Sequence, residues 1–133
     1  MSIQSLADSI MTDLGCTERI TRAFIEVALG DIKLFDQKQS DYGAANITAF
    51  GEFGVLVRSN DKLARLRNLQ RRIGPVSNEP VEDSWRDLSV YGVIARMCRM
   101  GLWPGVPCVL SPDNTPVEPL CLCSDVPHGY VKA

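Results

Sequence analysis

Charged and polar side chains recur at three- and four-residue spacing in the middle of the chain. The set consists of cations, one acid and one amide: Arg58, Asp61, Lys62, Arg65, Asn68 and Arg72. On a helix, residues at this spacing emerge along one flank. Arginine offers phosphate oxygens a planar fork and lysine a compact charge, while an interleaved Asp61 would orient a cation or bind a metal ion. The pattern indicates a clamp for a phosphorylated small molecule, with Arg58, Lys62 and Arg65 as ligand-binding residues.

The same residues also fit a simpler interpretation, in which this flank of the helix is a solvated surface. Asp61 would then pair with Arg65 at i,i+4, an arrangement that stabilises a helix by only about 0.3–0.5 kcal/mol. The spacing alone leaves both interpretations open.

A second group of acids follows on the next predicted helix. Asp83 and Asp87 lie one turn apart and would present two carboxylates to one Mg²⁺, an ion that prefers oxygen ligands and keeps several waters. The positive end of the helix dipole accounts for Asp83 without a metal, but accounts less well for Asp87. Asp87 falls among apolar neighbours, where a carboxylate requires a metal ion or a cation such as Lys62 or Arg65. The sequence leaves both interpretations of this helix open, a Mg²⁺ site on Asp83 and Asp87 or an ion pair between Asp87 and the preceding helix.

Further polar residues surround a predicted connection between two helices: Lys38, Asp41, Tyr42 and Asn46. If this loop closes over a nucleotide, Tyr42 would stack on the base and Asn46 would hydrogen-bond its edge. The alternative is an ordinary turn in which Tyr42 covers the core.

The five cysteines, an odd number in a chain without an export signal, predict reduced thiols rather than a disulfide framework. Cys108, Cys121, Cys123 and His128 have the ligand types of a structural zinc site. A C-x-C spacing in a strand directs both side chains to one face, unlike the C-x₂-C turn of a zinc knuckle, so small buried thiols are favoured over zinc. The sequence contains no nucleophile elbow and no Gly-rich phosphate-binding fingerprint.

Apolar periodicity and capping signals predict a mostly α chain, a small helical bundle of three to four helices. The predicted helices cover residues 2–14, 17–38, 49–72 and 78–100, and Gly15 and Gly101 end the first and the last. Asn78 is the predicted N-cap of the last helix, with Pro80 in its first turn. The second helix is predicted from the recurrence of Ile20, Phe24, Val27 or Ala28, and Phe35 at three- and four-residue intervals. On the third, Phe53, Leu56, Leu63, Leu66 and Ile73 are predicted to form a buried stripe.

Beyond residue 102 the chain is rich in proline, which excludes another long helix. Residues 106–110 and 117–123 are predicted to pair as a short β-hairpin, which the prolines restrict to edge strands. The expected organisation is a helical nucleotide-site domain over residues 1–101 and an extension over residues 102–133 that packs on it.

Chain length, net charge and the absence of long apolar runs exclude several classes of function. A chain of 133 residues suits one domain, and a formal net charge of −2 argues against an extended nucleic-acid footprint. The first residues lack a basic and then apolar signal segment, and no run of about 18 apolar residues occurs. We therefore expect a cytoplasmic protein without a membrane partner.

Three motifs resemble the nucleotide-modification-associated domain 1 family of phages and prophages over about residues 17–100. They are Lys38-x-x-Asp41-Tyr42-Gly43, then Asp61-Lys62-Leu63-x-Arg65-Leu66-x-Asn68-Leu69, then Glu79-x-x-Glu82-Asp83-Ser84-x-x-Asp87-Leu88-x-x-Tyr91. That family is distantly similar to the all-α nucleoside triphosphate pyrophosphatases of the MazG type, whose helices donate carboxylates to Mg²⁺ and whose sites often form between subunits. The resemblance implies a location in the host cytoplasm and a homo-oligomer.

The resemblance also implies roles for individual residues and leaves several functions open. Metal-side candidates are Asp61, Asp83 and Asp87, with Glu52 as a further one, and phosphate-side candidates are Lys38, Lys62 and Arg65. As an enzyme the protein would be a Mg²⁺-dependent nucleotide pyrophosphatase. The first E-x-x-E pair of those enzymes is incomplete at Glu26 and Glu52, so the alternatives are a non-catalytic sponge for a nucleotide-derived immune signal, which is an anti-defence role, and a protein-interaction module.

Overall fold

The structure is a computed structural model that describes residues 1–76 and 78–108. Those residues form five α-helices: α1 Ile3–Asp13, α2 Arg19–Tyr42, α3 Ala45–Thr48, α4 Gly51–Arg71 and α5 Val81–Arg99. The prediction of a mostly α chain, a small helical bundle, is confirmed. Nearly all of the predicted β-hairpin lies outside the described residues.

The chain divides into two compact units, Met1–Asp41 and Tyr42–Ala133. The sequence-based boundary between residues 101 and 102 stays a prediction. None of the helices in the described ranges is long and apolar enough to cross a lipid bilayer.

In the first unit, α1 lies within the predicted range and is followed by Gly15, as predicted. Ser2 is its N-cap, and its Oγ accepts a hydrogen bond from the Ser5 amide at 3.1 Å. Gly15 follows the C-terminus with a φ of 66°, a conformation that favours glycine. Arg22 of α2 donates from Nε to Oδ1 of Asp8 at 2.5 Å, and this bond lowers the pKa of the Asp8 carboxyl. An ion pair therefore joins the two helices of this unit.

Helix α2 is longer than predicted and contains no buried residue. It continues to Tyr42, through residues that the sequence assigned to a connection. None of its residues is buried, and Ile20, Phe24 and Val27, whose spacing predicted the helix, are exposed. Periodicity shows which residues share a face but not whether another element covers it.

In the second unit, α4 and α5 pack against each other in antiparallel directions. Three contacts show this, because the α5 partner number falls as the α4 number rises: Glu52 with Arg99, Lys62 with Asp87, and Arg65 with Ser84. The buried side chains are Val55 and Leu66 of α4, Ser84, Asp87, Val90, Ile94 and Cys98 of α5, and Ile47 and Trp103 from the flanking segments.

The predicted buried stripe of α4 is mostly wrong. Phe53, Leu56 and Ile73 are 70%, 64% and 101% exposed, and of the predicted set only Leu66 is buried. The face turned toward α5 instead runs from Val55 to Leu66 and includes Lys62. A polar residue at a helix–helix contact breaks the apolar pattern from which the face was predicted.

The start of α5 also differs from the prediction. The helix begins at Val81, and Pro80 occupies the N-cap position without a side-chain hydrogen bond, so Asn78 is not the cap. Asp83 still lies in the first turn, as predicted. The end is as expected, with Gly101 following at a φ of 68°.

The segment after α5 returns to α3 and to the beginning of α4. Trp103, which is buried, donates from Nε1 to the Ala44 carbonyl at 3.1 Å. Thr48 donates from Oγ1 to the Pro104 carbonyl at 2.6 Å. Helix α3 itself lies where the sequence predicts a tight connection. The first residues of the predicted extension are thus tied to the helical unit.

Candidate functional site

A cleft of about 420 Å³ lies between α4 and α5 and opens to solvent. Its α4 wall consists of Glu52, Phe53, Val55, Leu56 and Ser59, and its α5 wall of Leu88, Tyr91, Gly92 and Ala95. Small-molecule sites in proteins commonly measure about 300–1,000 Å³ and are lined mainly by apolar and aromatic groups with a few polar ones. The cleft therefore has the size and lining of a small-molecule site.

Helical spacing explains how these side chains meet. Phe53 and Leu56 are three residues apart on α4, and Leu88 and Gly92 are four apart on α5, so each pair shares one face of its helix. Phe53 and Leu56 are 70% and 64% exposed, so they form the outer wall. Gly92 has no atom within 4 Å of the position where a side chain would begin. Its lack of a side chain keeps the α5 wall open.

Lys62 and Asp87 form an ion pair close to this cleft. Nζ of Lys62 lies 2.7 Å from Oδ2 of Asp87, and the side chains are 23% and 10% exposed. The hydrogen bond to Asp87 raises the pKa of Lys62 against the opposing effect of burial. Tyr91, which lines the cleft, lies one turn after Asp87 on α5, so the ion pair lies next to the cleft. The sequence left two partners open for Asp87, a metal ion or a cation from the preceding helix, and the structure contains an ion pair with such a cation.

The guanidinium of Arg65 is hydrogen-bonded to the beginning of α5. Its Nη1 donates to Oγ of Ser84 at 2.5 Å and to the Pro80 carbonyl at 3.5 Å, and its Nη2 donates to the Glu79 carbonyl. Ser84 is fully buried. A phosphate-binding role for Arg65 stays a prediction, and it would require the guanidinium to leave these partners.

The other end of the cleft carries a second ion pair. Nη1 of Arg99 lies 3.1 Å from Oε2 and 3.2 Å from Oε1 of Glu52, which is a cleft residue. Both side chains are partly exposed, so the pair is screened by solvent. Cys98 is completely buried beside this end. Burial first, and the Glu52 charge second, raise the pKa of its thiol.

The predicted metal-side residues differ in their surroundings. Asp61 is exposed, Asp83 is half-buried, and Asp87 is bonded to Lys62. Among residues 1–76 and 78–108, no group of three or more His, Cys, Asp or Glu side chains could hold a metal ion. A Mg²⁺ ion on Asp87 would compete with the ammonium, so the arrangement present does not fit that ion. Binding of Mg²⁺ through Asp83 and Asp87 stays a prediction.

The remaining predicted ligand-binding residues lie in different parts of the chain. Lys38 and Asp41 belong to the end of α2 in the first unit. Tyr42 is 70% exposed, and Arg58 is half-buried on α4. Asn46 of α3 has a buried Oδ1 atom for which the described part of the chain provides no hydrogen-bond partner. Only Arg58 joins Lys62 and Arg65 on the same helix.

Sequence reasoning missed most of the cleft residues. Phe53 and Leu56 were assigned to the core, although their aromatic and branched side chains form an exposed wall. One signal was available: Gly92 lies inside a strong helical pattern, where glycine costs about 1 kcal/mol relative to alanine and usually indicates a packing or functional reason.

Most of the residues considered as ligands of a structural zinc site lie outside the described ranges. Of the four candidate ligands, Cys108 alone is described, and Cys121, Cys123 and His128 lie beyond it. Cys16, Cys98 and Cys108 form no disulfide.

Comparison with known proteins returned no match to any protein family, to any curated protein or to any solved structure. The resemblance to the nucleotide-modification-associated family therefore stays a prediction.

Proposed function

We propose that the protein binds a phosphorylated nucleotide in the cleft between α4 and α5. The observation that carries this proposal is the combination of an apolar and aromatic cleft with the Lys62–Asp87 ion pair, whose Asp87 lies one helical turn before the cleft residue Tyr91. A nucleotide has a flat ring that gains from apolar and aromatic contact, and an anionic group that gains from a nearby cation.

The base would lie against the walls formed by Phe53, Leu56 and Leu88. Stacking on an aromatic side chain contributes about 1–3 kcal/mol per base where it has been measured by alanine substitution. The Ser59 hydroxyl and the Glu52 carboxylate are the polar cleft groups available to the base edge. They would determine the orientation of the ring.

The phosphate would approach Lys62. An ammonium provides three donors, and a partly exposed one can contact a ligand while it remains near Asp87. Arg58, one turn before Lys62 on α4, is a second cation on the same helix. Asp87 disfavours excess phosphate charge at this position, so we expect a monophosphate or a phosphodiester to bind more tightly than a triphosphate without metal.

Sequestration is the form of this function that the geometry supports best. Hydrolysis of a pyrophosphate bond would require metal ligands, and Asp87 is already bonded to Lys62. The protein would therefore act as a non-catalytic nucleotide binder, the anti-defence sponge implied by the phage resemblance. A Mg²⁺-dependent pyrophosphatase remains the alternative, and chromatography after incubation with nucleoside triphosphates and Mg²⁺ distinguishes turnover from retention of an intact ligand.

The direct test is isothermal titration calorimetry of the full chain with mono-, di- and triphosphates of each base, with and without Mg²⁺. Gly92→Leu should weaken binding at least tenfold, about 1.4 kcal/mol, because the new side chain fills the cleft. The same substitution should not destabilise α5, since leucine has a higher helix propensity than glycine. Lys62→Ala should also weaken binding at least tenfold.

Two matched controls keep this test specific. Arg67→Ala removes an exposed cation from α4 away from the cleft lining and should leave affinity unchanged. Gly30→Ala adds a side chain to α2 where no atom lies within 4 Å, and it should also bind normally. Equal affinity in wild type, Gly92→Leu and Lys62→Ala would remove the cleft as the site.

We also propose a second function, homo-oligomerisation through α2. The specific observation is the exposure of Ile20, Phe24 and Val27 on one helix that has no buried residue. Exposed apolar clusters of this kind often mark protein interfaces. Light scattering across a concentration series should show association, and Phe24→Glu should reduce it. A wild-type mass equal to one chain at every concentration would contradict the proposal.

A further inference from the structure

The two polar side chains in the α4 wall of the cleft offer a ligand hydrogen-bond acceptors. Glu52 contributes a carboxylate, which in its charged form accepts hydrogen bonds and donates none. Ser59 donates its hydroxyl proton to the Val55 carbonyl at 2.8 Å, so its oxygen has only acceptor capacity left for a ligand. The part of a ligand that meets this wall therefore has to supply N–H or O–H groups.

Glu52 keeps acceptor capacity although it is paired with Arg99. A single nitrogen, Nη1 of Arg99, lies 3.1 Å from one carboxylate oxygen and 3.2 Å from the other. A carboxylate has about four lone-pair sites, so each oxygen can accept a further hydrogen bond. The Glu52 side chain is 40% exposed and lines the cleft. The ion pair thus restrains the carboxylate at the cleft wall and leaves both oxygens available to a ligand.

Among the common bases, guanine has the edge that fits two neighbouring carboxylate oxygens. Its ring N1–H and its 2-amino group are adjacent donors, so both can bond to one carboxylate in the bidentate manner that arginine uses. Adenine and cytosine place an amino donor beside an unprotonated ring nitrogen, and uracil and thymine flank their N–H with two carbonyls. With those four bases a second carboxylate oxygen would face a lone pair, which is repulsive.

We propose that Glu52 selects guanine and that the ligand of the α4–α5 cleft is a guanine nucleotide. This inference rests on the proposed nucleotide function and specifies its base. With the guanine edge at Glu52, the ring lies along Leu56 and the phosphate extends toward Lys62. Glu52 and Lys62 are separated by roughly 15 Å of helix, a distance that an extended nucleotide and two long side chains cover together.

Calorimetry of the full chain with nucleoside monophosphates tests the base preference. Inosine monophosphate differs from guanosine monophosphate only in lacking the 2-amino group, and it should bind about tenfold more weakly, because one charge-assisted hydrogen bond is lost. Deoxyguanosine monophosphate should bind as tightly as guanosine monophosphate, since the carboxylate contacts the base. Equal affinity for the guanosine and inosine nucleotides would overturn the proposal. So would a loss confined to the deoxy nucleotide, which would assign Glu52 to the ribose hydroxyls.

Substitution of Glu52 should change which base is preferred. The carboxamide of Glu52→Gln offers one acceptor and one donor, which match the ring N–H and the 2-carbonyl of xanthine. The preference should therefore move from guanosine to xanthosine monophosphate, a change that lost stability alone does not produce. Arg99→Gln is the matched control, because it breaks the same ion pair but leaves the carboxylate, and it should retain the guanosine preference. A guanosine preference that survives in Glu52→Gln, or that disappears in Arg99→Gln, would overturn the assignment to Glu52.

The same measurements separate this inference from the proposed function. If no nucleotide binds the wild type, both are overturned. If nucleotides bind with equal affinity for every base and Gly92→Leu weakens them all, the cleft is a nucleotide site and the guanine preference alone is overturned. Tight binding of guanosine monophosphate that is weakened both by loss of the 2-amino group and by Glu52→Gln supports the two together.

Discussion

Lys62 and Asp87 join α4 to α5 through an ion pair in which Nζ lies 2.7 Å from Oδ2. Asp87 is 7% exposed as a residue and lies on the buried face of α5. A carboxylate there is costly without a cation, and Lys62 supplies that cation from the facing helix. Tyr91, which lines the cleft, lies one turn after Asp87 on α5. The pair therefore joins the two helices next to the candidate site.

A double-mutant cycle measures how strongly the pair couples. Lys62→Met should destabilise the protein by about 1–3 kcal/mol, because it leaves a largely buried carboxylate without its cation. Once Asp87→Asn has removed the charge, the same Lys62→Met change should cost less. Urea denaturation of the four proteins gives the coupling energy. A coupling near zero would show that the pair contributes nothing to stability.

The pair also predicts how stability depends on alkaline pH. The folded-state pKa of Lys62 is raised, so folding favours its charged form. That contribution is complete below the unfolded pKa of about 10.4 and is lost as pH rises through the higher folded value. Stability should thus fall more steeply above about pH 10 in wild type than in Lys62→Met. Parallel urea midpoints from pH 8 to 11.5 check this, and curves of identical slope would contradict it.

Arg65 should be sensitive to replacement even by lysine. Its guanidinium reaches a buried Ser84 hydroxyl and two carbonyls that precede α5, and the single ammonium of lysine lacks the planar fork. We expect Arg65→Lys to cost about 1–2 kcal/mol. Arg67→Lys, on an exposed position of the same helix, is the matched control and should change thermal stability little. Equal melting temperatures in the two variants would show that the fork is not used.

Local signals in the sequence predicted the C-terminal ends of α1 and α5. Gly15 and Gly101 follow these helices as their chemistry suggests, because such an end depends on a few neighbouring atoms, whereas the predicted cap Asn78 is not used. The need of Asp87 for a positive partner, a metal ion or a cation, was also visible, since desolvation of a carboxylate follows from its apolar neighbours alone. These inferences required no knowledge of which helices are in contact.

The cleft could not be predicted from the sequence, because it depends on which helices are in contact. Phe53 and Leu56 repeat at a core-like spacing, and only the placement of α5 beside Val55 and Lys62 shows that they form an exposed wall. The polar Lys62 within the packed face further shifted the predicted stripe. Tertiary placement, rather than local propensity, determines which of two apolar flanks is buried.

The stability losses caused by substitution of Val55 and of Ile73 show whether the buried flank of α4 is the observed one or the predicted one. Val55 is 2% exposed, so Val55→Ala should destabilise the protein by about 2–3 kcal/mol through lost burial and a residual cavity. Ile73, which the periodicity placed inside, is fully exposed, and Ile73→Ala should stay within about 0.5 kcal/mol of wild type. Chemical denaturation measures both. A larger loss of stability for Ile73→Ala than for Val55→Ala would show that the core lies on the flank that the sequence pattern predicted. That flank would then be buried, and the open cleft between α4 and α5 would not exist.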